Sequence, residues 1–181
     1  MAGESWWDAT LKTELSQGDL VTEVPGATLV HPLTYLNSRP AKDNKIVYEA
    51  SATPFSKPKK GDDRQFFLSN GEVAAALVLS YDCEIDKSQK ILIAPVFAID
   101  TLPSESQLAV LEQRRFSLMP LPDVPLLGTC YADFRLMQTV RREYLPLQGR
   151  LSSMNPDAVD RLQAQITAFL TRRTFAASKP Q

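Results

Sequence analysis

The chain has 181 residues, 44% hydrophobic and 23% charged, with 20 lysines and arginines against 21 aspartates and glutamates for a formal net charge of -1. That length and balance predict one globular domain over 1–175 with a flexible tail at 176–181, and they exclude extensive disorder and a global basic field. His31 is the sole histidine, and Cys83 and Cys130 lie far apart without CxxC spacing. A disulfide framework or zinc site of cysteine ligands is not indicated, so no metal and no cofactor is expected.

In chain order, Ser5 is placed to cap a helix over Trp6–Leu15, with Trp7, Leu11 and Leu15 on one face and Gly18 as its end. Asp19–Val24 reads as a strand stopped by Pro25 and Gly26. From Ala27 to Asp63 an elaborated loop carries one strand, Lys45–Ala50, and a basic cluster, Lys57, Lys59 and Lys60. That cluster is a candidate phosphate contact, although KPKKGDD runs straight into two aspartates and a solvated loop is the reading its composition favours. Arg64–Ser69 and Glu72–Ser80 flank Asn70 and Gly71, a dipeptide suited to a type I′ hairpin turn.

Val73–Ser80 and Ile91–Phe97 are short runs rich in Val, Leu and Ile that predict a core hairpin. Pro103, Ser104 and Gln107 suggest a capping box opening a helix through Phe116 with Leu108 and Leu111 facing the core. The prolines of MPLPDVPLLG predict an extended surface connection. From Cys130 to Val140 the alternation predicts one half-exposed strand, with Tyr131, Asp133, Arg135, Thr139 and Arg141 outward. Asn155 and Pro156 then open an amphipathic helix whose stripe is Val159, Leu162, Ile166, Phe169 and Leu170, ending at Arg172 and Arg173.

Two constellations are candidates for chemistry. Asp82, Glu84 and Asp86, between the hairpin strands, are the candidate catalytic residues. They share the spacing of a calcium loop's start, but Lys87 replaces its glycine and Ile93 its glutamate, which excludes an EF-hand. Cys83 sits among these carboxylates, which disfavour a thiolate nucleophile. A triad of Ser80, His31 and Asp82 lacks the GxSxG elbow. The second constellation, Tyr131, Arg135, Arg141 and Arg142, is the candidate nucleic-acid-binding surface, since arginine holds phosphate bidentately and tyrosine stacks on bases.

The ordered pieces QGDLVTEVP, ALVLSYD, ILIAPV and YADFRLMQTVRREYL, followed by an amphipathic helix, resemble the MazF/PemK-type toxin family. The resemblance implies a mainly β (α+β) fold, an SH3-like small barrel over 17–172 with insertions at 25–70 and 102–128 and a C-terminal helix. It also implies cleavage of single-stranded RNA by dimers, with an antitoxin as protein partner. The family's catalytic arginine falls on Ala74 and its threonine or serine on Phe97, so the implied protein interacts with RNA or another nucleic acid with diverged catalysis. The alternative is a non-catalytic interaction or assembly module on the same barrel. No run nears the ~20 apolar residues of a membrane span, and MAGESWWDAT lacks a signal-peptide pattern. A cytoplasmic protein is expected.

Overall fold

The runs rich in Val, Leu and Ile become strands in the computed structural model, which describes residues 5–28, 34–40, 46–51, 66–68, 70–145 and 147–171. In chain order these are β1 (Asp19–Thr28), β2 (Thr34–Pro40), β3 (Ile46–Ser51), β4 (Phe66–Leu68), β5 (Asn70–Val78), helix α1 (Asp82–Ile85), β6 (Lys90–Ala98), helix α2 (Ser104–Leu111), β7 (Leu118–Val124), β8 (Gly128–Asp133), β9 (Gln138–Arg141), β10 (Arg150–Ser153) and helix α3 (Pro156–Thr171). The chain divides into two compact units, Met1–Pro25 with Val73–Gln181, and Gly26–Glu72.

The larger unit is built on a curled antiparallel sheet of seven strands, a half-barrel, in the order β10-β1-β5-β6-β8-β7 with β9 also on β6. The expected core hairpin is its centre, with Ala75 opposite Val96 and Val78 opposite Ile93. Alternation along these strands sends successive side chains to opposite faces. Leu77, Leu79, Ala94 and Val96 join Leu20, Met119, Phe134 and Leu162 in one apolar cluster. Ala76, Val78, Ile91 and Ile93 join Val21, Ile85 and Val140 in another. Both faces are covered, which is why the runs read as nearly continuous apolar sequence; each fully buried Leu or Ile stabilises by about 1.5–3 kcal/mol.

Helix α3 starts as its sequence predicts: Asn155 Oδ1 accepts the Ala158 N–H at 2.8 Å, ahead of Pro156 in the first helical position. Leu162 is fully buried, and Val159, Ile166 and Phe169 pack against the first cluster, the Phe169 ring 5.8 Å from that of Phe134. Leu170 departs from the expected stripe, 64% exposed, while Ala158 and Ala168 are buried.

Long-range pairing corrects several local readings. Residues 5–16 form an irregular strap and not a helix, because their backbone bonds to the end of β10 instead of to itself. The Asp8 N–H donates to the Ser153 carbonyl at 2.8 Å, the Asn155 N–H to the Trp6 carbonyl at 3.0 Å, and Trp7 bridges Met154. Trp7 and Leu15 are thereby buried while Leu11 is exposed. Gly18 does turn the chain, at φ 81°, where a Cβ would lie 2.9 Å from that of Met154. Asn70 and Gly71 are strand residues of β5 and not a hairpin turn, and β4 pairs with β2, Leu36 opposite Phe66. With β3 on the other edge of β2, Tyr35 opposite Ser51, this makes the three-stranded sheet of the smaller unit.

Helix α2 ends at Leu111 and buries Ala109 and Val110, leaving Leu108 and Leu111 exposed. Its expected capping box is absent: Pro103 occupies the N-cap, and Gln107 Nε2 donates to the Leu102 carbonyl at 2.7 Å. The expected surface connection is β7, an edge strand with Leu118, Met119, Pro120, Leu121 and Val124 buried. Edge position explains its prolines, since an edge strand leaves one row of N–H groups unpaired. His31, Lys57, Lys59, Lys60, Arg172 and Arg173 and the tail lie outside the described residues. Among the described residues, no helix is long and apolar enough to cross a membrane.

Candidate functional site

After β5 the chain turns sharply because Asp82, Glu84 and Asp86 must stay wet while Ile85 is drawn into the core, fully buried. One helical turn achieves this: the Glu84 and Ile85 N–H groups donate to the Tyr81 carbonyl at 2.8 and 3.0 Å, and Ser88 N–H to the Glu84 carbonyl at 2.8 Å. The return into β6 is fixed by hydroxyls. Ser88 Oγ accepts the Lys90 N–H at 3.0 Å, and Ser80 Oγ accepts the Leu92 N–H at 2.9 Å.

On the other side of β6, β9 pairs Arg141 with Lys90, Val140 with Ile91 and Thr139 with Leu92. Arg142 then ties β9 to α1, its Nη1 donating to the Ile85 carbonyl at 2.9 Å and its N–H to the Gln89 carbonyl at 2.9 Å. Cys83, Glu84, Lys87, Ser88 and Lys90 line an open groove of about 440 Å³. Arg141 is exposed and makes an ion pair with Glu143 at 3.1 Å. Lys87 and Lys90 carry no ion pair to any described residue. Tyr81 and Tyr144, each 49% exposed, stand next in sequence to Asp82 and close after Arg142. Nothing in the sequence pattern singled out these tyrosines.

The tertiary structure therefore joins two sets that the sequence left apart, the acidic connection and Arg141 with Arg142. It separates the rest. Tyr131 is buried against Phe97, ring centroids 5.7 Å apart, and against Val110 and Leu118. The expected half-exposed strand fails here because β8 lies between β6 and β7, with Val110 of α2 packed beside Tyr131. That strand also stops at Asp133, where a 3-10 turn, Phe134–Leu136, intervenes before β9.

Arg135 is held within its own turn. Its Nε and Nη2 donate to the two oxygens of buried Asp133 at 2.9 and 2.6 Å, and this hydrogen bonding raises the guanidinium pKa further above its ordinary value. The D-x-R spacing was the available sign of it. Among the acids, Asp82 is also partnered, Oδ1 accepting the Gln17 N–H at 2.7 Å. Gln17 is a buried link: Nε2 donates to the Leu79 carbonyl at 2.7 Å, and Oε1 accepts from Gln163 Nε2 at 2.8 Å. Asp82 thus serves the frame that joins β5 to α3.

Of the thiols, Cys83 is exposed and Cys130 buried. Burial first, and then the charge of Asp100, push the Cys130 thiol above its ordinary value, which keeps it protonated and unreactive. No three His, Cys, Asp or Glu side chains among the described residues come together to hold a metal ion. In comparisons with known proteins, no family model and no curated protein matches the chain.

Proposed function

We propose that the chain is a toxin-like, nucleic-acid-interacting protein of the SH3-like, MazF/PemK-like kind, which binds single-stranded RNA on the face of α1, β6 and β9 without the family's cutting chemistry. The observation that carries this reading is Lys90 set opposite Arg141 across two strands. Like charges in that position destabilise a ladder, and Lys87 in the adjoining groove adds a third cation. An anionic polymer relieves that repulsion, with arginine taking phosphate oxygens in pairs. Ala74 cannot stabilise a developing phosphorane charge, and half-buried Phe97, stacked toward Tyr131, cannot move a proton.

Fluorescence anisotropy with a labelled single-stranded RNA at low salt tests this. Binding without cleavage is expected. Lys90→Ala with Arg141→Ala should weaken it and lower the log-log salt slope by about 1.4, at ~0.7 per neutralised phosphate. No binding at low salt would sink the reading.

A second reading, an interaction or assembly module for a protein partner such as an antitoxin-like chain or a second copy, is favoured by the mixed charge here. Glu84 lines the groove, and Glu143 already pairs with Arg141. Its signature is self-association or capture of the product of a neighbouring gene that the double alanine change leaves intact, with no RNA binding.

A further inference from the structure

The junction of β1 and β10 holds three buried polar atoms without a hydrogen-bond partner, Asp19 Oδ1, Arg150 Nε and Ser153 Oγ. Asp19 and Ser153 are 0% exposed and Arg150 8%. Asp19 and Ser153 are partners across the two strands, so their Cβ atoms lie about 4.5–5.5 Å apart on one face. Arg150 reaches the same place, Nη1 lying 2.9 Å from Asp19 Oδ2. That oxygen is already used twice, since it also accepts the Ser16 N–H at 2.8 Å. The three unpartnered atoms therefore belong to side chains that meet at one buried junction.

We propose that this junction is the binding site of one internal water molecule. The demand is chemical: Nε–H only donates, a carboxylate oxygen only accepts and a hydroxyl does either, so the occupant must both donate and accept. Asp19 and Arg150 carry opposite charges that cancel at this range, which favours a neutral occupant over a metal cation or an anion. Buried waters typically make about three hydrogen bonds to polar groups that the protein leaves unpaired, and three are on offer. The water completes a polar knot under the N-terminal strap, because Arg150 also donates from Nη1 to the Glu14 carbonyl and from Nη2 to that of Lys12.

The test is a crystal structure of the full chain at atomic resolution together with oxygen-17 relaxation dispersion in solution. The expected results are a density peak within hydrogen-bonding distance of all three atoms, and a dispersion amplitude that falls by one long-lived water in the variant Asp19→Val with Arg150→Met. Absence of the peak overturns the proposal, as does an equal amplitude in wild type and a variant shown by circular dichroism to be folded. The crystallographic arm needs no variant, so it decides the matter even if the double change prevents folding.

Discussion

Arg150 shows how much can rest on one side chain that carries no local signal. Its side chain is 4% exposed, that of Asp19 0%, and the two are 131 residues apart in sequence. Removing one partner of a buried pair leaves the other charge unpaired and costs about 3–5 kcal/mol, whereas replacing both is far milder. Arg150→Met should therefore lower stability to urea by about that much, and adding Asp19→Val should restore part of the loss. A double variant less stable than Arg150→Met would show that the pair's Coulombic term is not what matters there. Asp19 was legible as the start of a strand, since Gly18 and the following Leu-Val pattern are local. Its partner was not, because nothing near Arg150 in sequence marks an arginine that will be enclosed.

At the scale of elements, local rules worked where an element's ends are decided by its own residues. The start of α3 is such a case, with Asn155 and Pro156 in the positions their chemistry favours. Asn155 does more than cap, for its Nδ2 also donates to the Ser5 carbonyl and so anchors the strap. Asn155→Ala should cost about 2 kcal/mol by thermal or urea unfolding, the upper end of the range for a lost N-cap. Asn155→Ser, which can still cap but cannot reach as far, should recover roughly half of that. Local rules failed where an outside strand offered better pairing. Asn70-Gly71 has turn chemistry, yet it lies within β5, and the helical spacing of Trp7 and Leu15 is met by an extended strap that buries both.

For the whole molecule, the larger unit carries three apolar clusters of its own. A chain in which 27–71 is replaced by a short Gly/Ser linker should accordingly retain a cooperative unfolding transition and its near-UV aromatic signal; loss of cooperativity would show that the smaller unit is required for the sheet. The candidate groove would survive that deletion, since Cys83 to Lys90 and Arg141 lie entirely in the larger unit. The β character, the β5/β6 hairpin and the start of the last helix were readable along the chain, because period-2 runs and capping residues act within a few positions. So was the acidic connection between the strands. Folding alone brings β9 back to β6 and sets Arg141 opposite Lys90, encloses Tyr131 between α2 and β7, and gives Arg135 to Asp133. Strand order and face coverage depend on contacts between distant segments, and a charge or an aromatic ring becomes available to a ligand only after those contacts have taken their share.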